Sequence, residues 1–230
     1  MGGVVDLTCG NNCTAGTGGH AIVDVSQTWP AIPIPYLVDG TGGAGLQIEG
    51  AGSAHARLTI AWPNTLELKS GGDLEVDPNQ TAQADLVAKN VTFTSASPAP
   101  SPGAWYGIEL VMTNAGLANS SLVGCTIAYA GDYFQLPAGA SACTSAYGAV
   151  YVNNAFNTVA PGPTISGAKI QDYPATNYGI VTANVSVTST AIYALRLRAR
   201  RPLLTLCWSY PPRSPRRRRV ATGRTRTRRA

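Results

Sequence analysis

One short segment of the sequence combines residue types that suit carbohydrate binding. Tyr133 and Phe134 are adjacent, and Asp132 and Gln135 flank them. Aromatic rings on a loop can stack on sugar rings, while carboxylate and amide groups hydrogen-bond sugar hydroxyls. Trp105 is a further aromatic candidate. We expect these five residues to form a glycan-binding site; the alternative is that the rings fold back to close their loop or fill the core.

Residues able to form a catalytic centre are scattered along the chain. His20 and His55 stand apart from any Ser or Cys in a matching context. An acid–base pair for glycoside hydrolysis needs two facing carboxylates. The candidates for such a pair are Glu67, Glu109, Asp132 and Asp172. Because the sequence does not bring any two of them together, we assign no catalytic residue and keep enzyme activity as the alternative.

One predicted strand carries alternating carboxylates. Asp73, Glu75 and Asp77 share one face, with Leu74 and Val76 on the other. Such a face is typical of a solvated acidic surface. Carboxylates are also calcium ligands, so bound calcium is the alternative to a protein without any cofactor or metal.

The cysteine spacing leaves several options open. Cys9 and Cys13 flank a turn-like Gly-Asn-Asn and are the candidate disulfide, with two free thiols as the alternative. Half of a metal site is the third option, although only His20 is near. Cys125 falls on an inward position of a predicted strand, which indicates a small buried apolar side chain.

A recurring heptapeptide decides the fold class. Its copies are 85–91, 121–127, 164–170 and 186–192. Each copy places two apolar residues five positions apart, so a continuous strand would turn them to opposite faces. A bend at Gly124 and Gly167 would bring both to one core, since glycine tolerates the dihedral angles of a corner. Ala88 and Ser189 take this place in the other two copies.

Repetition at tens of residues, short strands and corners predict an all-β chain folded as a right-handed parallel β-helix. An aromatic-Gly-apolar cassette recurs between the heptapeptides at 106–108, 147–150 and 178–180. The extra residues fall between the heptapeptide and this cassette, at 96–103, 131–146 and 174–177. We therefore expect loop insertions along one edge of the solenoid, where such proteins often bind ligands.

The charge of the chain is divided between two parts. Residues 1–195 contain all 12 acidic residues and four basic ones, which gives −8, whereas 196–230 contain thirteen arginines and no acid. The second segment is predicted to be a disordered tail, and its composition is also that of a GC-rich gene read out of frame. A nucleic-acid-binding arm is the third interpretation. The overall charge of +5 therefore does not indicate nucleic acid as a partner.

The order of apolar segments across residues 30–195 resembles a known fold family. The segments are 35–38, 58–60, 66–68, 72–76, 91–95, 102–108 and 125–131. In this order they resemble the bacterial right-handed parallel β-helix proteins of the pectin-lyase-like fold, which are secreted or displayed on the surface. The resemblance implies an exported repeat module with an adhesive or structural role, or else a polysaccharide lyase or hydrolase. Residues 1–29 are then the end of a preceding module or an N-terminal extension.

These observations predict a non-enzymatic extracellular or cell-surface module with a structural or adhesive role. Polysaccharide or a cell-surface glycan is the expected partner, bound through loops on one edge, and flanking modules of a longer chain are expected because no secretory signal is present. No apolar run is long enough to span a membrane.

Overall fold

The computed structural model consists of short β-strands joined by turns. It describes residues 5–7, 21–39, 45–50, 54–76, 84–111, 120–131, 148–153, 163–174, 178–183, 192–195 and 204–207. The strands are β1 Val5–Leu7, β2 Ala21–Val23, β3 Gln27–Trp29, β4 Tyr36–Val38, β5 Leu46–Ile48, β6 Ala56–Ile60, β7 Thr65–Leu68, β8 Asp73–Val76, β9 Ala84–Lys89, β10 Thr92–Ser95, β11 Gly107–Val111, β12 Ser121–Val123, β13 Thr126–Ala128, β14 Gly148–Asn153, β15 Thr164–Ser166, β16 Ala168–Gln171, β17 Tyr178–Ala183, β18 Ile192–Leu195 and β19 Leu204–Cys207. Within these ranges, no helix has the length and apolar character that crossing a membrane requires.

The strands form three parallel sheets that the chain visits in rotation. The first sheet has the order β1-β4-β7-β10-β13-β16-β18, the second β2-β5-β8-β11-β14-β17-β19, and the third β3-β6-β9-β12-β15. The strands therefore pair with strands of neighbouring coils, not with their neighbours along the chain. This arrangement confirms the predicted all-β parallel solenoid.

Alternation along the strands builds one continuous core. In β6 the side chains of Ala56, Leu58 and Ile60 are buried, while Arg57 and Thr59 between them face outward. The same alternation recurs in all three sheets, and in-register pairing stacks the inward residues of successive coils. Each fully buried Leu or Ile contributes roughly 1.5–3 kcal/mol of transfer free energy. The core is therefore shared by all coils, and no single coil has a core of its own.

The corner from the third sheet to the first is short and has a left-handed residue in each of three coils. Asn90, Gly124 and Gly167 have φ angles of 55°, 64° and 62°. The Asn90 N–H donates to the Val123 carbonyl at 2.8 Å, and the Gly124 N–H donates to the Ser166 carbonyl at 2.8 Å. We call these three stacked residues the tight corner.

The tight corner confirms two predicted bends and corrects a third. Gly124 and Gly167 are at the bend, as expected, but Ala88 is inside β9 and pairs with Leu122. The bend of that coil is two residues later, at Asn90, because asparagine tolerates the left-handed conformation better than most residues. Ser189 of the fourth copy lies outside the described residues.

The strand pairing extends beyond the predicted solenoid boundaries. β1, β2 and β3, which precede residue 30, pair in parallel with β4, β5 and β6. β19, which follows residue 195, pairs with β17. Residues 1–29 and 196–230 thus each contribute at least one strand to the sheets.

Candidate functional site

The longest connections between consecutive strands, 129–147 and 96–106 among them, lie at the corner from the first sheet to the second. Residues 96–106, 129–147 and 172–177 each follow a first-sheet strand and precede a second-sheet strand. Since the strands they join are neighbours in both sheets, the three connections begin at one edge, which we call the loop-bearing edge. This confirms the predicted placement of the insertions. The corresponding third-to-first connection is reduced to Gly167 alone between β15 and β16.

Trp105 is a structural residue of the loop-bearing edge. Its side chain is fully buried, and its Nε1–H donates to the Ala128 carbonyl at 2.8 Å. A parallel bridge joins Trp105 to Ala130 of the next coil. The ring therefore fills the core in this structure, which is the alternative that the sequence left open for it.

The hydrogen bonds of Trp105 fix the chain immediately before the aromatic segment. The Gly131 N–H lies 3.1 Å from the carbonyl oxygens of both Trp105 and Tyr106 and donates to them. Gly131 directly precedes Asp132, so the first residue of the predicted glycan site leaves from an anchored position. The candidates Asp132, Tyr133, Phe134 and Gln135 themselves lie outside the described residues, as do the candidate disulfide residues Cys9 and Cys13.

The predicted acidic face is only partly exposed to solvent. Asp73 and Glu75 share the outer face of β8, but Asp73 is 5% exposed and packs against the backbone of Gly45. A side chain at position 45 would overlap the Asp73 carboxylate, so the glycine makes room for this carboxylate. Asp77, the third residue of the pattern, lies outside the described residues. In the part of the chain that the structure describes, no group of three potential metal ligands is found.

Two glutamates pair in register on the outer face of the second sheet. Glu109 of β11 pairs in register with Glu75 of β8 on one side and with Tyr151 of β14 on the other. Tyr151 is fully buried, and its hydroxyl makes no hydrogen bond to the described residues. Burial, together with the nearby Glu109 carboxylate, raises the pKa of Tyr151, so its phenol stays neutral. Glu67, by contrast, lies in β7 of the first sheet and does not share this face.

A cluster that the sequence did not reveal surrounds Asp85, near the start of the third-sheet strand β9. Asp85 is 1% exposed, and its Oδ2 accepts from Arg57 Nε at 3.2 Å and Arg57 Nη2 at 2.8 Å. His55 Nε2 is 2.9 Å from the same oxygen. The register pairs Arg57 directly with Asp85 across β6 and β9. The sequence offers one sign of this pair. Arg57 and Asp85 each occupy the first, outward position of two similar segments, Arg-Leu-Thr-Ile and Asp-Leu-Val-Ala, that lie one coil apart.

This cluster brings Ser, His and Asp together without forming a nucleophilic triad. Ser26 Oγ donates to the backbone carbonyl of His55 at 3.2 Å and accepts from the Arg57 N–H at 3.1 Å. In a triad the hydroxyl would instead hydrogen-bond the imidazole. These hydrogen bonds link three successive coils, and the serine hydroxyl donates to a backbone carbonyl instead of the imidazole.

Asn64 joins two successive coils. It is not among the described residues with positive φ, so it takes no left-handed turn position. Its buried side chain instead donates to the Pro30 carbonyl at 2.9 Å and accepts from the Ile32 N–H at 3.1 Å. Asn64 thereby holds the 30–32 segment of the previous coil against the start of β7.

Cys125 follows the tight corner and is buried, as predicted. Burial raises the pKa of its thiol to about 11. Its Sγ lies 3.5 Å from the Ala88 carbonyl and forms no disulfide. The side chain therefore packs as a small apolar group, and its thiol stays protonated at neutral pH.

No family model, no curated protein and no solved structure matches the chain. The strand pairing defines the protein as a parallel β-solenoid.

Proposed function

We propose that the chain is a non-enzymatic, extracellular or cell-surface β-solenoid module of the pectin-lyase-like type, with a structural or adhesive role. It binds polysaccharide or a cell-surface glycan through connections at the loop-bearing edge. The net charge of −8 on residues 1–195 does not favour nucleic acid as the partner of this part of the chain. Binding needs no cofactor; calcium at Asp73 and Glu75 is the alternative, and chelation during the binding assay decides between them.

The observation that carries this proposal is the contrast between an anchored base and a long connection. Trp105 and Gly131 hydrogen-bond the chain up to the residue before Asp132. The connection that follows, 129–147, is far longer than a two-residue turn and contains Tyr133 and Phe134. Loops carried by a rigid scaffold are the usual place for recognition residues.

A glycan array probed with the full chain tests the proposal. The double variant Tyr133→Ala/Phe134→Ala removes both rings, and aromatic anchors of this kind typically contribute more than about 1–2 kcal/mol to binding. We expect the affinity for the best glycan to fall about tenfold or more. Val25→Ala is the matched control, because Val25 is exposed at the opposite, second-to-third corner.

Equal binding by the parent and the double variant would reject the loop assignment. Loss of binding in the Val25→Ala control as well would indicate a nonspecific apolar effect. Thermal unfolding of all three proteins, followed by circular dichroism, checks that the solenoid is intact in each.

A polysaccharide lyase or hydrolase acting at the loop-bearing edge is the second candidate. The observation that favours it is the in-register pair Glu75 and Glu109. Adjacent strands are about 4.8 Å apart, and the two carboxyl groups of retaining glycosidases are separated by about 5–5.5 Å. Glu109 is also near the loop-bearing edge, since β11 begins only two residues earlier.

Incubation of the chain with neutral and acidic polysaccharides, followed by size-exclusion chromatography, separates the two candidates. Shortened polymers would replace the binding proposal with catalysis, and Glu109→Gln should then abolish the shortening. Polymers of unchanged size, eluting together with the protein, are what we expect for a binding module.

A further inference from the structure

The first sheet carries a groove that lies away from the loop-bearing edge. It has a volume of about 310 Å³ and is lined by Ile32, Pro33, Ile34, Pro35, Pro63, Thr65 and Glu67. This volume is at the lower limit of small-molecule sites, so the groove suits a group of about one sugar ring. Asn64 fixes its shape, because its side chain bonds Pro30 and Ile32 on the opposite wall.

Glu67 supplies the only ionisable group among the lining residues. Its side chain is half-buried and makes no hydrogen bond or ion pair with the described part of the chain. Its in-register neighbours, Leu37 and Thr94, are uncharged. Lys69, two residues later in the chain, is instead bound to Asp39 at 2.7 Å. A carboxylate among apolar side chains attracts a cation more strongly than one surrounded by water.

An exposed indole comes directly before a residue that lines the groove. Trp62 directly precedes the lining residue Pro63 and is 63% exposed, the largest value among the exposed large apolar side chains of the described residues. An indole face attracts sugar C–H groups, and it also attracts ammonium groups through the ring quadrupole. Thr65 adds a hydroxyl that both donates and accepts hydrogen bonds.

We propose that this groove binds glycans built from amino sugars whose amine is free and protonated. The ammonium pairs with the Glu67 carboxylate, the sugar ring packs on Trp62 and the proline-lined wall, and Thr65 binds a sugar hydroxyl. Acidic sugars are excluded by Glu67 and by the acidic body of the chain. The inference shares the ligand class of the proposed function but uses a different face, so the two can fail separately.

Isothermal titration of the full chain at about pH 6, where a sugar amine is protonated, tests the inference. The probes are hexamers of glucosamine, N-acetylglucosamine and glucose, which differ only at one ring position. We expect the glucosamine hexamer to bind at least about tenfold more tightly than the other two. Glu67→Gln should remove this preference, and Trp62→Ala should weaken binding while Trp62→Phe retains most of it.

Asp24→Asn is the matched control, because it removes one exposed negative charge at a distant corner. If it weakens glucosamine binding as much as Glu67→Gln does, the attraction is a long-range charge effect and the inference is wrong. Equal binding of the three hexamers also overturns it, although the chain would then still bind glycans. Tyr133→Ala/Phe134→Ala should leave glucosamine binding unchanged; a loss in this variant would place the ligand at the loop-bearing edge instead.

Discussion

The tight corner and the loop-bearing edge lie at opposite ends of the first-sheet strands, and at both of them the chain turns from one sheet to the next. At the tight corner the chain turns within one or two residues, and Asn90, Gly124 and Gly167 stack with left-handed dihedral angles. At the loop-bearing edge the chain also takes left-handed angles, at Tyr129 and Asp172, but long connections follow. A turn without spare residues admits little change, whereas a long connection on a fixed base tolerates insertion. The tight corner therefore constrains the path of each coil, whereas the loop-bearing edge can accept additional residues, including residues for recognition.

Replacing Trp105 with Ala should have the largest effect, because Trp105 is the base on which the loop-bearing edge depends. The variant loses a fully buried ring and leaves the Ala128 carbonyl without its donor. We expect the free energy of unfolding to fall by about 3–5 kcal/mol. Urea unfolding followed by circular dichroism measures it.

Trp105→Phe separates the two contributions. It keeps most of the ring but not the N–H, so we expect a loss of about 1–3 kcal/mol. If Trp105→Ala were as stable as the parent, the edge would not be anchored by this residue, and the distinction between base and loop would fail.

A side chain at Gly124 should be the next most damaging change, because it would meet the Asn90 side chain in a left-handed backbone conformation. A Cβ at Gly124 would overlap the Asn90 side chain, and the φ angle of 64° disfavours any residue other than glycine. For Gly124→Ala we expect a loss of about 2–4 kcal/mol in the free energy of unfolding.

Gly167→Ala provides the matched comparison within the same corner. Its φ angle is 62°, but the nearest atoms to a Cβ there are 3.8 Å away. We therefore expect the free energy of unfolding to fall only by the cost of placing alanine in a left-handed conformation, which is about 1–2 kcal/mol. Equal losses at the two glycines, measured by urea unfolding, would show that the close approach of Asn90 does not matter.

These two corners also show which parts of the structure were predictable. Gly124 and Gly167 were recognised because glycine at a repeated position indicates a corner on its own. Asn90 was missed, and the bend was assigned to Ala88, since apolar spacing alone fits more than one register. The sequence left Trp105 open between a glycan contact and the core for a related reason, because a periodicity of two distinguishes inward from outward residues only inside a strand.

The Asp85 cluster was missed because it depends on contacts between coils. His55, Arg57 and Asp85 are unremarkable along the chain and meet only when β6 and β9 pair in register. To predict that register one must know how many residues form one coil, and the insertions at the loop-bearing edge obscure this number. Single residues at corners are thus easier to predict than side chains that cooperate across sheets.

Arg57→Met should have a smaller effect than Trp105→Ala or Gly124→Ala, and it extends the comparison to a third corner, the one from the second sheet to the third. Asp85 is 1% exposed, so loss of its Arg57 partner leaves a buried carboxylate with His55 alone. We expect a loss of about 1–3 kcal/mol in urea unfolding. The control is Lys69→Met, which removes an exposed partner of Asp39 and should cost less than about 1 kcal/mol. Equal costs for the two substitutions would mean that burial of Asp85 is unimportant.

The smallest expected effect concerns the thiol beside the tight corner. The pKa of Cys125 is raised from 9.0 to about 11 because the side chain is buried. The unfolded chain therefore releases this proton at a lower pH than the folded chain does. The stabilisation is fully present below the unfolded pKa of 9.0 and is lost as the pH rises toward about 11. Between about pH 9 and pH 10 we expect the free energy of unfolding to fall by about 1 kcal/mol. Cys125→Ala should remove this part of the pH dependence, measured by urea unfolding at each pH. A slope that is the same in both proteins would show that the thiol titrates normally and that the core beside the tight corner is open to water.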